Sequence, residues 1–374
     1  MKILFTLDTL RGGGTETSLL HLIHHFSDAS QCTVCYFYPP HDLKAAYSKA
    51  PCSLVFLNLK GAYSFFQGIQ QLKKLVQQEK YDVIVTSLYR SGIMSRIVSL
   101  LTGVPLIDTM VNDSYGPEKR KEFKGMHVFK FHLVYALDRI TAFIPKKWIS
   151  NSNYLSQELG GKLGVSINKI QVLYRGRDTS KIRAWQPIPQ EPVFRFISIG
   201  RLFSQKGQAD LLYAFQLFHA NYPNSTLTIY GEGPERINLE QLCSHLQLGD
   251  AVFLPGHSET AWEQLYVSHC FVLPSLYEGF SGALVEALMS GIPVIASDIP
   301  MNQEAITSEV NGLLYPVSQI EALYASMKKV YTNYTEAILR GEKARAIALE
   351  KYDIKMVARQ YEALIKNAVI KKGL

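Results

Sequence analysis

The chain reads CFVLPSLYEGFSGALVEAL from Cys270 to Leu288. Its first four residues are apolar and suit a short buried strand, and a loop containing Pro274 and Gly279 follows them. From Gly282 onward the apolar residues continue in a run that fits a helix. A buried strand that leads through a loop into a helix predicts the repeating unit of a parallel α/β fold.

The same unit recurs along the whole chain. Short apolar runs predict strands, and amphipathic helical stretches separate them. The principal strands are expected at Lys2–Leu7, Cys32–Phe37, Leu54–Leu57, Val83–Thr86, Leu106–Val111, Phe194–Ile199, Thr226–Tyr230, Val252–Leu254, Cys270–Leu273 and Val294–Ala296. This alternation predicts two doubly wound, Rossmann-like α/β domains in tandem, each built on a parallel sheet.

A proline-marked segment, Trp185–Pro192, is the predicted linker between the two domains. It divides an N-terminal domain, residues 1–184, from a C-terminal domain, residues 185–353. The remaining residues, 354–374, predict a final helix that packs on one of the two domains.

Composition and charge limit the classes of protein to which this chain can belong. The chain has 374 residues, 47% hydrophobic and 19% charged, with a formal net charge of +7 that suits acidic partners. No run approaches the roughly 18–20 apolar residues of a membrane span, and Asp8 and Arg11 interrupt the N-terminal apolar run, so a signal peptide is not expected. Five cysteines, with Cys32 and Cys35 in one predicted strand, favour reduced core cysteines in the cytoplasm over a redox or metal site.

Three glycine-rich turns follow predicted strands. They contain Gly12–Gly14, Gly200–Lys206 and Gly231–Gly233. Glycine allows close approach of a ligand to the backbone, a helix start offers N–H groups to an anion, and the cations Arg201 and Lys206 suit a diphosphate. Tight structural turns with solvated cations are the alternative. The absence of GxGxxG and of a Walker lysine disfavours dinucleotide-binding and P-loop proteins.

Two acidic residues flank the predicted helix start in the opening stretch. Glu278 lies in the loop and Glu286 lies inside the helix, among apolar neighbours. A carboxylate can accept hydrogen bonds from two sugar hydroxyls, and the N–H groups of Gly282–Val285 would point at an anion. The pair therefore suits hydrogen bonding to a sugar at one end of a ligand and to a ribose at the other. Paired carboxylates also suit acid/base hydrolysis, although a glycosidase does not need the phosphate-type turns.

Taken together, these motifs resemble those of the GT-B-fold family 4 glycosyltransferases. The resemblance rests on Gly200-Arg201-Leu202 with Lys206-Gly207, on Gly231–Pro234, and on the Glu-x7-Glu pair Glu278 and Glu286, in the family's order and spacing. It spans nearly the whole chain. It implies a GT-B fold, with two Rossmann-like domains facing a central cleft and a last helix that returns to the N-terminal domain.

The resemblance also implies an activity and a set of roles. The enzyme would move a hexose-type sugar, with retention, from a nucleotide-sugar donor (a UDP-sugar by family frequency) to a glycan or lipid-linked acceptor. Arg201 and Lys206 would hold the diphosphate, Glu278 the donor sugar and Glu286 the ribose. No metal or other cofactor is expected, and the sequence contains no Asp-x-Asp. The remaining implied donor-site residues are Gly13, Gly14, Gly200, Gly231, Gly256, His257, Gly279, Phe280, Ser281, Gly282, Ala283, Leu284 and Val285.

The sequence departs from the family's pattern at two places. Asn112 stands where many members carry a histidine near the donor sugar, and asparagine cannot act as an acid or base near neutral pH. We therefore expect Asn112 to form hydrogen bonds only, with leaving-group stabilisation resting on Arg201 and Lys206. The second departure is Arg175–Asp178, which replaces the family's Asn-Gly-Val-Asp turn and adds positive charge.

A basic and aromatic stretch between Pro117 and Trp148 is the candidate acceptor-side surface. Its members are Lys119, Arg120, Lys121, Phe123, Lys124, Phe129, Lys130, Phe131, Tyr135, Arg139, Phe143, Lys146, Lys147 and Trp148. Interleaved cations and aromatics predict contact with an anionic membrane surface, which would place the enzyme on the inner face of the cytoplasmic membrane. A basic surface over an aromatic core is the alternative. Nucleic acid is not expected, since no recognised nucleic-acid motif accompanies the stretch.

Three hypotheses of function remain at this point. The first is a glycosyltransferase that builds a cell-surface polysaccharide such as lipopolysaccharide. The second is a sugar-nucleotide epimerase or a phosphorylase on the same fold, which would act without an added acceptor or would require phosphate. The third is a non-catalytic nucleotide-binding module.

Overall fold

The computed structural model describes residues 1–61, 64–117, 120, 125–190 and 192–370, with the side chains of 126, 127 and 370 left aside. Of the basic and aromatic stretch, Lys119, Lys121, Phe123 and Lys124 lie outside the described residues, as do Glu191 of the predicted linker and residues 371–374 of the predicted last helix. The chain divides into two compact units: unit 1 comprises Met1–Gly176 and Ile354–Leu374, and unit 2 comprises Arg177–Asp353.

Unit 1 is built on a parallel sheet. In its described part, seven strands pair in the order β3-β2-β1-β4-β5-β6-β7. They are β1 Lys2–Leu7, β2 Gln31–Tyr36, β3 Cys52–Phe56, β4 Val83–Ser87, β5 Leu106–Met110, β6 Lys147–Ser150 and β7 Ile170–Val172. The order reverses between β1 and β4, which is where open α/β sheets form ligand crevices at the carboxyl ends of their strands.

Helices connect these strands and cover the sheet of unit 1. They are α1 Gly14–Ile23, α2 Lys44–Ser48, α3 Phe65–Glu79, α4 Tyr89–Thr102, α5 Met126–Thr141, α6 Asn153–Leu163 and, at the end of the chain, α13 Ile354–Ile370; a 3-10 turn spans Ile167–Lys169. The last helix packs on α1, where Leu22, Val357 and Ala358 are buried together.

Unit 2 repeats the design with one strand fewer. Within the described residues its six parallel strands run β10-β9-β8-β11-β12-β13. They are β8 Phe194–Ile199, β9 Ser225–Tyr230, β10 Val252–Gly256, β11 Cys270–Leu273, β12 Val294–Ser297 and β13 Leu313–Tyr315. The helices are α7 Gln208–Asn221, α8 Arg236–His245, α9 Gly282–Ser290, α10 Pro300–Gln303, α11 Ile320–Thr332 and α12 Tyr334–Lys351. Here the strand order reverses between β8 and β11.

The α/β class and the principal strands that the sequence predicts are confirmed. The strands β6, β7 and β13 are not predicted, because they are too short for a period to show, and α12 is not predicted, because its apolar pattern is weak. A 3-10 helix at Ala261–Val267 lies between β10 and β11.

The boundary between the units lies between Gly176 and Arg177, upstream of the predicted boundary at Trp185. Residues 177–184 therefore pack with unit 2. The proline-marked segment also lies on unit 2, because the Trp185 backbone N–H donates to Ser290 O at 2.7 Å and its indole N–H donates to Ser268 O at 2.9 Å. The prolines prevent regular structure in this segment, but they do not make it a spacer.

The five cysteines all lie in the described residues, and none is in a disulfide. Burial raises the pKa of the Cys32 thiol to about 12 and that of Cys243 to about 11. A raised pKa leaves little thiolate, which is the reactive form. These thiols are core residues, in agreement with the structural interpretation of the Cys32–Cys35 spacing. No helix in the described part of the chain is long and apolar enough to cross a bilayer.

Candidate active site

The point of strand-order reversal in unit 2 brings two predicted loops side by side. Because β8 and β11 are neighbours, the loop 200–207 after β8 and the loop 274–281 after β11 leave the same edge of the sheet. The backbone N–H of Leu276 donates to Gln205 O at 2.8 Å. Gly207 has φ +64°, and a Cβ at this position would overlap the carbonyl oxygen of Pro274. Glycine is therefore required for the two loops to pack this closely.

The third glycine turn supports the first loop from behind. Gly231 has φ +145°, and a Cβ there would overlap the carbonyl oxygen of Gly200. The backbone N–H of Leu202 donates to Glu232 O at 2.9 Å, which joins the two turns. The loops 200–207, 231–233 and 274–281 of unit 2 thus form one layer at the carboxyl edge of its sheet.

The charged centre of this edge is the pair formed by Lys206 and Glu278. The Lys206 ammonium donates a short hydrogen bond to Glu278 Oε1, and Ser275 Oγ donates to the same oxygen at 2.8 Å. Glu278 is 8% exposed, so its carboxylate is held by these donors instead of by bulk water. The sequence predicts both charged residues here, but it does not predict that they pair with each other.

A chain of hydroxyl and amide groups stands behind Glu278. Ser297 Oγ donates to the carbonyl oxygen of Ser275, and Asn302 Nδ2 donates to Ser297 O at 2.9 Å. All three residues are buried. Ser275, Ser297 and Asn302 cannot be predicted as site residues from the sequence, because isolated polar residues at strand ends carry no motif.

Arg201 lies at the outer rim of the same edge and is exposed. Its guanidinium carbon lies 4.8 Å from the ring centre of Phe203, and its carbonyl oxygen accepts a hydrogen bond of 3.1 Å from Gln208 Nε2. The backbone of Arg201 is thus fixed, while its cation faces solvent and is accessible to an anion.

Helix α9 begins at the predicted place. Ser281 is its N-cap, and its hydroxyl accepts a hydrogen bond of 3.4 Å from the Leu284 N–H. Phe280, Gly282, Leu284 and Val285 are buried, and Ala283 is half-buried. Val285 N–H donates to Ser281 O at 3.2 Å. The N–H groups of Gly282 and Ala283 precede the first intrahelical hydrogen bond, so this end of the helix carries partial positive charge next to Gly279 and Glu278.

Glu286 lies one turn further along α9 and pairs with a residue that was not assigned to the site. Arg177 Nε donates to Glu286 Oε1 at 2.5 Å, with the Arg177 side chain 8% and the Glu286 side chain 21% exposed. The Arg177 guanidinium also covers the first turn of α9, because a Cβ at Gly282 would overlap it. The departure at Arg175–Asp178 was the available signal, and it pointed to charge without indicating the partner.

The end of β10, which pairs with β9, carries two of the implied donor-site residues, Gly256 and His257. Gly256 has φ +92°, and its carbonyl oxygen accepts a hydrogen bond of 2.9 Å from Gly231 N–H, which ties this turn to the glycine layer. His257 follows it and is exposed. Both residues lie on the carboxyl edge that Glu278 occupies.

The glycine turn of unit 1 lies at that unit's own strand-order reversal. Gly12 has φ +77°, Gly13 is the N-cap of α1, and Gly14 lies against the Arg175 guanidinium, which a Cβ would overlap. Asn112 follows β5 and is exposed, and its Oδ1 accepts a hydrogen bond of 2.5 Å from Ser114 Oγ. Both features lie at the carboxyl edge of the unit 1 sheet.

A small cavity opens beneath the same edge of unit 1. Its polar lining includes Ser18, Ser87, Thr109 and Asn151. Among the described residues, Ser18 Oγ and Asn151 Oδ1 are buried without a hydrogen-bond partner. These atoms give unit 1 an interior polar surface that can bind hydroxyl groups. Within the described ranges, no group of three or more His, Cys, Asp or Glu side chains is arranged to hold a metal ion.

Comparison with known protein families decides the assignment. The profile "Glycosyltransferase Family 4" matches residues 12–181, and "Glycosyl transferases group 1" matches residues 179–348. Together they account for both units. The chain belongs to the family 4 glycosyltransferases.

Two curated relatives of this family 4 glycosyltransferase align over much of its length. An uncharacterised glycosyltransferase of Methanocaldococcus jannaschii is 27% identical over 71% of this chain and 66% of its own length. The Escherichia coli UDP-Gal:alpha-D-GlcNAc-diphosphoundecaprenol alpha-1,3-galactosyltransferase is 29% identical over 71% of this chain and 70% of its own length.

Solved structures confirm the GT-B fold of this family 4 glycosyltransferase. The Anabaena protein HepE in complex with UDP has a TM-score of 0.84 at 19% identity, over 98% of this chain and 100% of that one. The sucrose-phosphate synthase of Thermosynechococcus elongatus has a TM-score of 0.82 at 17% identity, over the full length of both chains.

Proposed function

We propose that this glycosyltransferase transfers a hexose-type sugar, with retention, from a UDP-sugar to a glycan or lipid-linked acceptor in cell-surface polysaccharide biosynthesis, with lipopolysaccharide as one candidate product. The observation that carries the proposal is the Lys206–Glu278 pair, next to Arg201 and the N-terminus of α9, at the strand-order reversal of unit 2. A cation pair, free helix N–H groups and two carboxylates at one edge match the three parts of a nucleotide-diphosphate sugar.

The donor would lie along this edge with its diphosphate at the start of α9. Arg201 provides a planar fork for phosphate oxygens, and Lys206 a point charge. The start of α9 adds the N–H groups of Gly282 and Ala283. The N–H groups of Leu284 and Val285 donate to Ser281 Oγ and Ser281 O, and they would have to share these hydrogen bonds with the phosphate. Glu278 would accept hydrogen bonds from hydroxyls of the donor sugar, and Glu286 from the ribose. The Anabaena neighbour solved with UDP-glucose supports a UDP-sugar as the first donor to test.

The reaction breaks the bond between the sugar C1 and the diphosphate oxygen and forms a bond from C1 to the acceptor oxygen on the same face. One further negative charge develops on the leaving diphosphate, in addition to the one that each phosphate already carries, and Arg201, Lys206 and the helix N–H groups would stabilise it. The acceptor hydroxyl loses its proton, and the departing phosphate oxygen is the proposed base. Asn112 would position a hydroxyl by hydrogen bonding only, because an amide does not titrate. The enzyme would need no metal or other cofactor.

The acceptor would bind to unit 1, at the edge formed by Gly12–Gly14 and Asn112. The Escherichia coli relative acts, by its name, on a diphosphoundecaprenol-linked sugar, which supports a lipid-linked acceptor here. Such an acceptor is presented by a membrane, so we propose that the enzyme works at the anionic inner face of the cytoplasmic membrane.

The test uses two variants and a thermal-shift screen with UDP-sugars. Glu278→Gln removes a sugar-binding charge, and Arg201→Ala removes a phosphate contact from an exposed side chain. Each variant is expected to lower kcat/KM about 100-fold or more. The Tm without ligand should change little for Arg201→Ala, whereas Glu278→Gln should lower it while the protein still folds, because the mostly buried Lys206 ammonium loses its carboxylate partner. In the wild type, the correct UDP-sugar should raise the Tm, since it binds only the folded state.

Exposed Arg359→Ala on α13, remote in sequence from the donor edge, is the matched control and should retain full activity. Wild-type activity in both donor-site variants would refute the assigned roles. Turnover without any acceptor, or a requirement for phosphate, would indicate an epimerase or a phosphorylase instead. Binding of nucleotide with neither transfer nor hydrolysis would indicate a binding module.

A further inference from the structure

Helix α5 of unit 1 exposes an apolar stripe to solvent. Phe129 is 72%, Leu133 53%, Leu137 39% and Ile140 65% exposed. Their spacings of four, four and three residues place them on one side of a helix with 3.6 residues per turn. A surface helix normally turns its apolar side inward, so this outward stripe is the reverse of the usual arrangement.

The opposite side of α5 is fixed to unit 1 by a buried ion-pair cluster. Asp138 Oδ1 accepts from Arg96 Nη1 at 2.6 Å, and its Oδ2 accepts from Tyr115 Oη at 2.7 Å. Arg96 also donates from Nε to Asp108 at 2.7 Å and lies 4.8 Å over the Trp148 ring. Rotating α5 to bury the stripe would leave these charges without partners, which is costly. The cluster therefore holds the apolar stripe outward.

Further apolar side chains lie around the C-terminal end of α5. Phe143, just beyond the helix, is 68% exposed, and Ile167 of the 3-10 turn is 56% exposed. Helix α4, which is joined to α5 through Arg96, exposes Leu100 and Leu101 at its own C-terminal end. We call these residues, with the stripe, the α5 face. Exposed apolar groups in such numbers mark an interaction surface.

Among the described residues, cations lie on both flanks of the α5 face. At 100° per residue, Lys130 and Arg139 flank the stripe on opposite sides. Lys169 Nζ donates to the carbonyl oxygen of Phe143 at 3.3 Å, which places a third cation at the end of the face.

The acidic residues described between positions 89 and 147 are Asp108, Asp113 and Asp138, and all three are buried. Glu118 and Glu122 lie outside the described residues. On the neighbouring α6, exposed Glu158 pairs with Lys162 at 3.5 Å. An apolar stripe with cations on both flanks is complementary to a layer whose interior is apolar and whose surface carries anionic groups.

We infer that the α5 face docks on an anionic lipid bilayer, with α5 parallel to the membrane plane. Phe129, Leu133 and Ile140 enter the boundary between head groups and acyl chains, while Lys130 and Arg139 contact anionic head groups. This docking surface rests on the proposed function only for its role, which is to bring the enzyme to a lipid-linked acceptor. Tyr115, which lies five residues beyond β5, donates to Asp138 of α5, so the chain that leaves the carboxyl edge of the sheet lies against α5. Docking would therefore bring that edge close to a lipid-linked acceptor.

The test is co-sedimentation of the full chain with vesicles of phosphatidylcholine alone or mixed with phosphatidylglycerol. We expect binding to the mixed vesicles that weakens with salt, and little binding to the neutral ones. Phe129→Ser/Ile140→Ser should lower the partition coefficient at least about tenfold. Phe66→Ser/Ile347→Ser replaces a Phe and an Ile elsewhere that are 76% and 45% exposed, and it should not change the partition coefficient. Lys130→Glu should weaken binding, whereas Lys74→Glu on α3 should not.

Thermal melts and UDP-sugar thermal shifts of the same variants separate this inference from the proposed function. Docking variants should melt and bind the donor as the wild type does. Failure of the donor screen with intact vesicle binding would overturn the proposed chemistry alone. Absence of vesicle binding, or binding that the Phe129/Ile140 pair leaves unchanged, would overturn the docking inference. Self-association that this pair abolishes, without vesicle binding, would reassign the α5 face to a contact between copies of the chain.

Discussion

Glu286 is paired with Arg177 in the structure and is also the proposed ribose ligand. The two roles are compatible, because a carboxylate has about four acceptor positions and Arg177 Nε occupies one of them. Arg177 would then fix the orientation of Glu286 and add positive charge at the start of α9. It is a positioning residue in this scheme, since it acts on the donor through Glu286 and the helix end.

Replacing Arg177 should therefore affect donor binding more than chemistry. We expect Arg177→Ala to raise KM for the donor about tenfold, with a smaller change in kcat. Arg177→Lys should restore part of the loss, because an ammonium keeps the charge but lacks the planar fork. Steady-state kinetics at varied donor concentration measure the split. A tenfold loss of kcat with an unchanged KM would contradict this role. A large drop in Tm for Arg177→Lys would indicate that Arg177 has a purely structural role.

Among the secondary-structure elements, the arrangement of the candidate site at the carboxyl edge of the unit 2 sheet depends on how closely three loops pack. Gly207 and Gly231 have positive φ, and each lies against a backbone carbonyl of a neighbouring loop. The strand–loop–helix pattern predicts where these loops lie. It does not predict which backbone atoms they approach, because that depends on strands distant in sequence.

Gly207→Ala should disturb this packing, because its Cβ would overlap Pro274 O and its φ of +64° is strained for alanine. We expect a loss of about 2 kcal/mol or more in the free energy of unfolding of unit 2. Urea denaturation measures it. Gly161→Ala is the matched control: it lies inside α6 with open space around its Cβ and should be neutral or stabilising by up to about 1 kcal/mol. Equal effects of the two substitutions would refute the packing argument.

At the scale of the molecule, the end of the chain is tied to its beginning within unit 1. Glu362 Oε1 on α13 accepts hydrogen bonds from Ser27 N, Ser27 Oγ and Ser30 Oγ at 3.1, 2.7 and 2.6 Å. Burial opposes ionisation, but the hydrogen bonds from Ser30 and Ser27 outweigh it and lower the pKa of Glu362 below its ordinary value of 4.5.

This lowered pKa gives a pH-dependent stability. A carboxyl whose pKa is lower in the folded state stabilises the fold above its unfolded pKa, and that contribution is lost as the pH falls through the folded value. Glu362→Gln should therefore lower the free energy of unfolding at pH 7 by about 1–3 kcal/mol, and with it the Tm. The difference in Tm from the wild type should shrink below pH 4.5. Melting curves from pH 3 to 7 test this. A difference that stays constant with pH would show that the charge of Glu362 is not responsible.

The α/β class, the two parallel sheets and the positions of the candidate-site motifs can be predicted from the sequence, because these depend on local periodicity, turn residues and short spacing. Glu278, Arg201, Lys206 and the start of α9 were found in this way. Only the tertiary structure decided the partners: Lys206 with Glu278, Arg177 with Glu286, and the proline-marked segment with unit 2. It also decided that α5 turns its apolar side outward, since that depends on Arg96 and Asp138 meeting across two helices. Such pairs join residues far apart in the chain, and no local pattern encodes which of them meet.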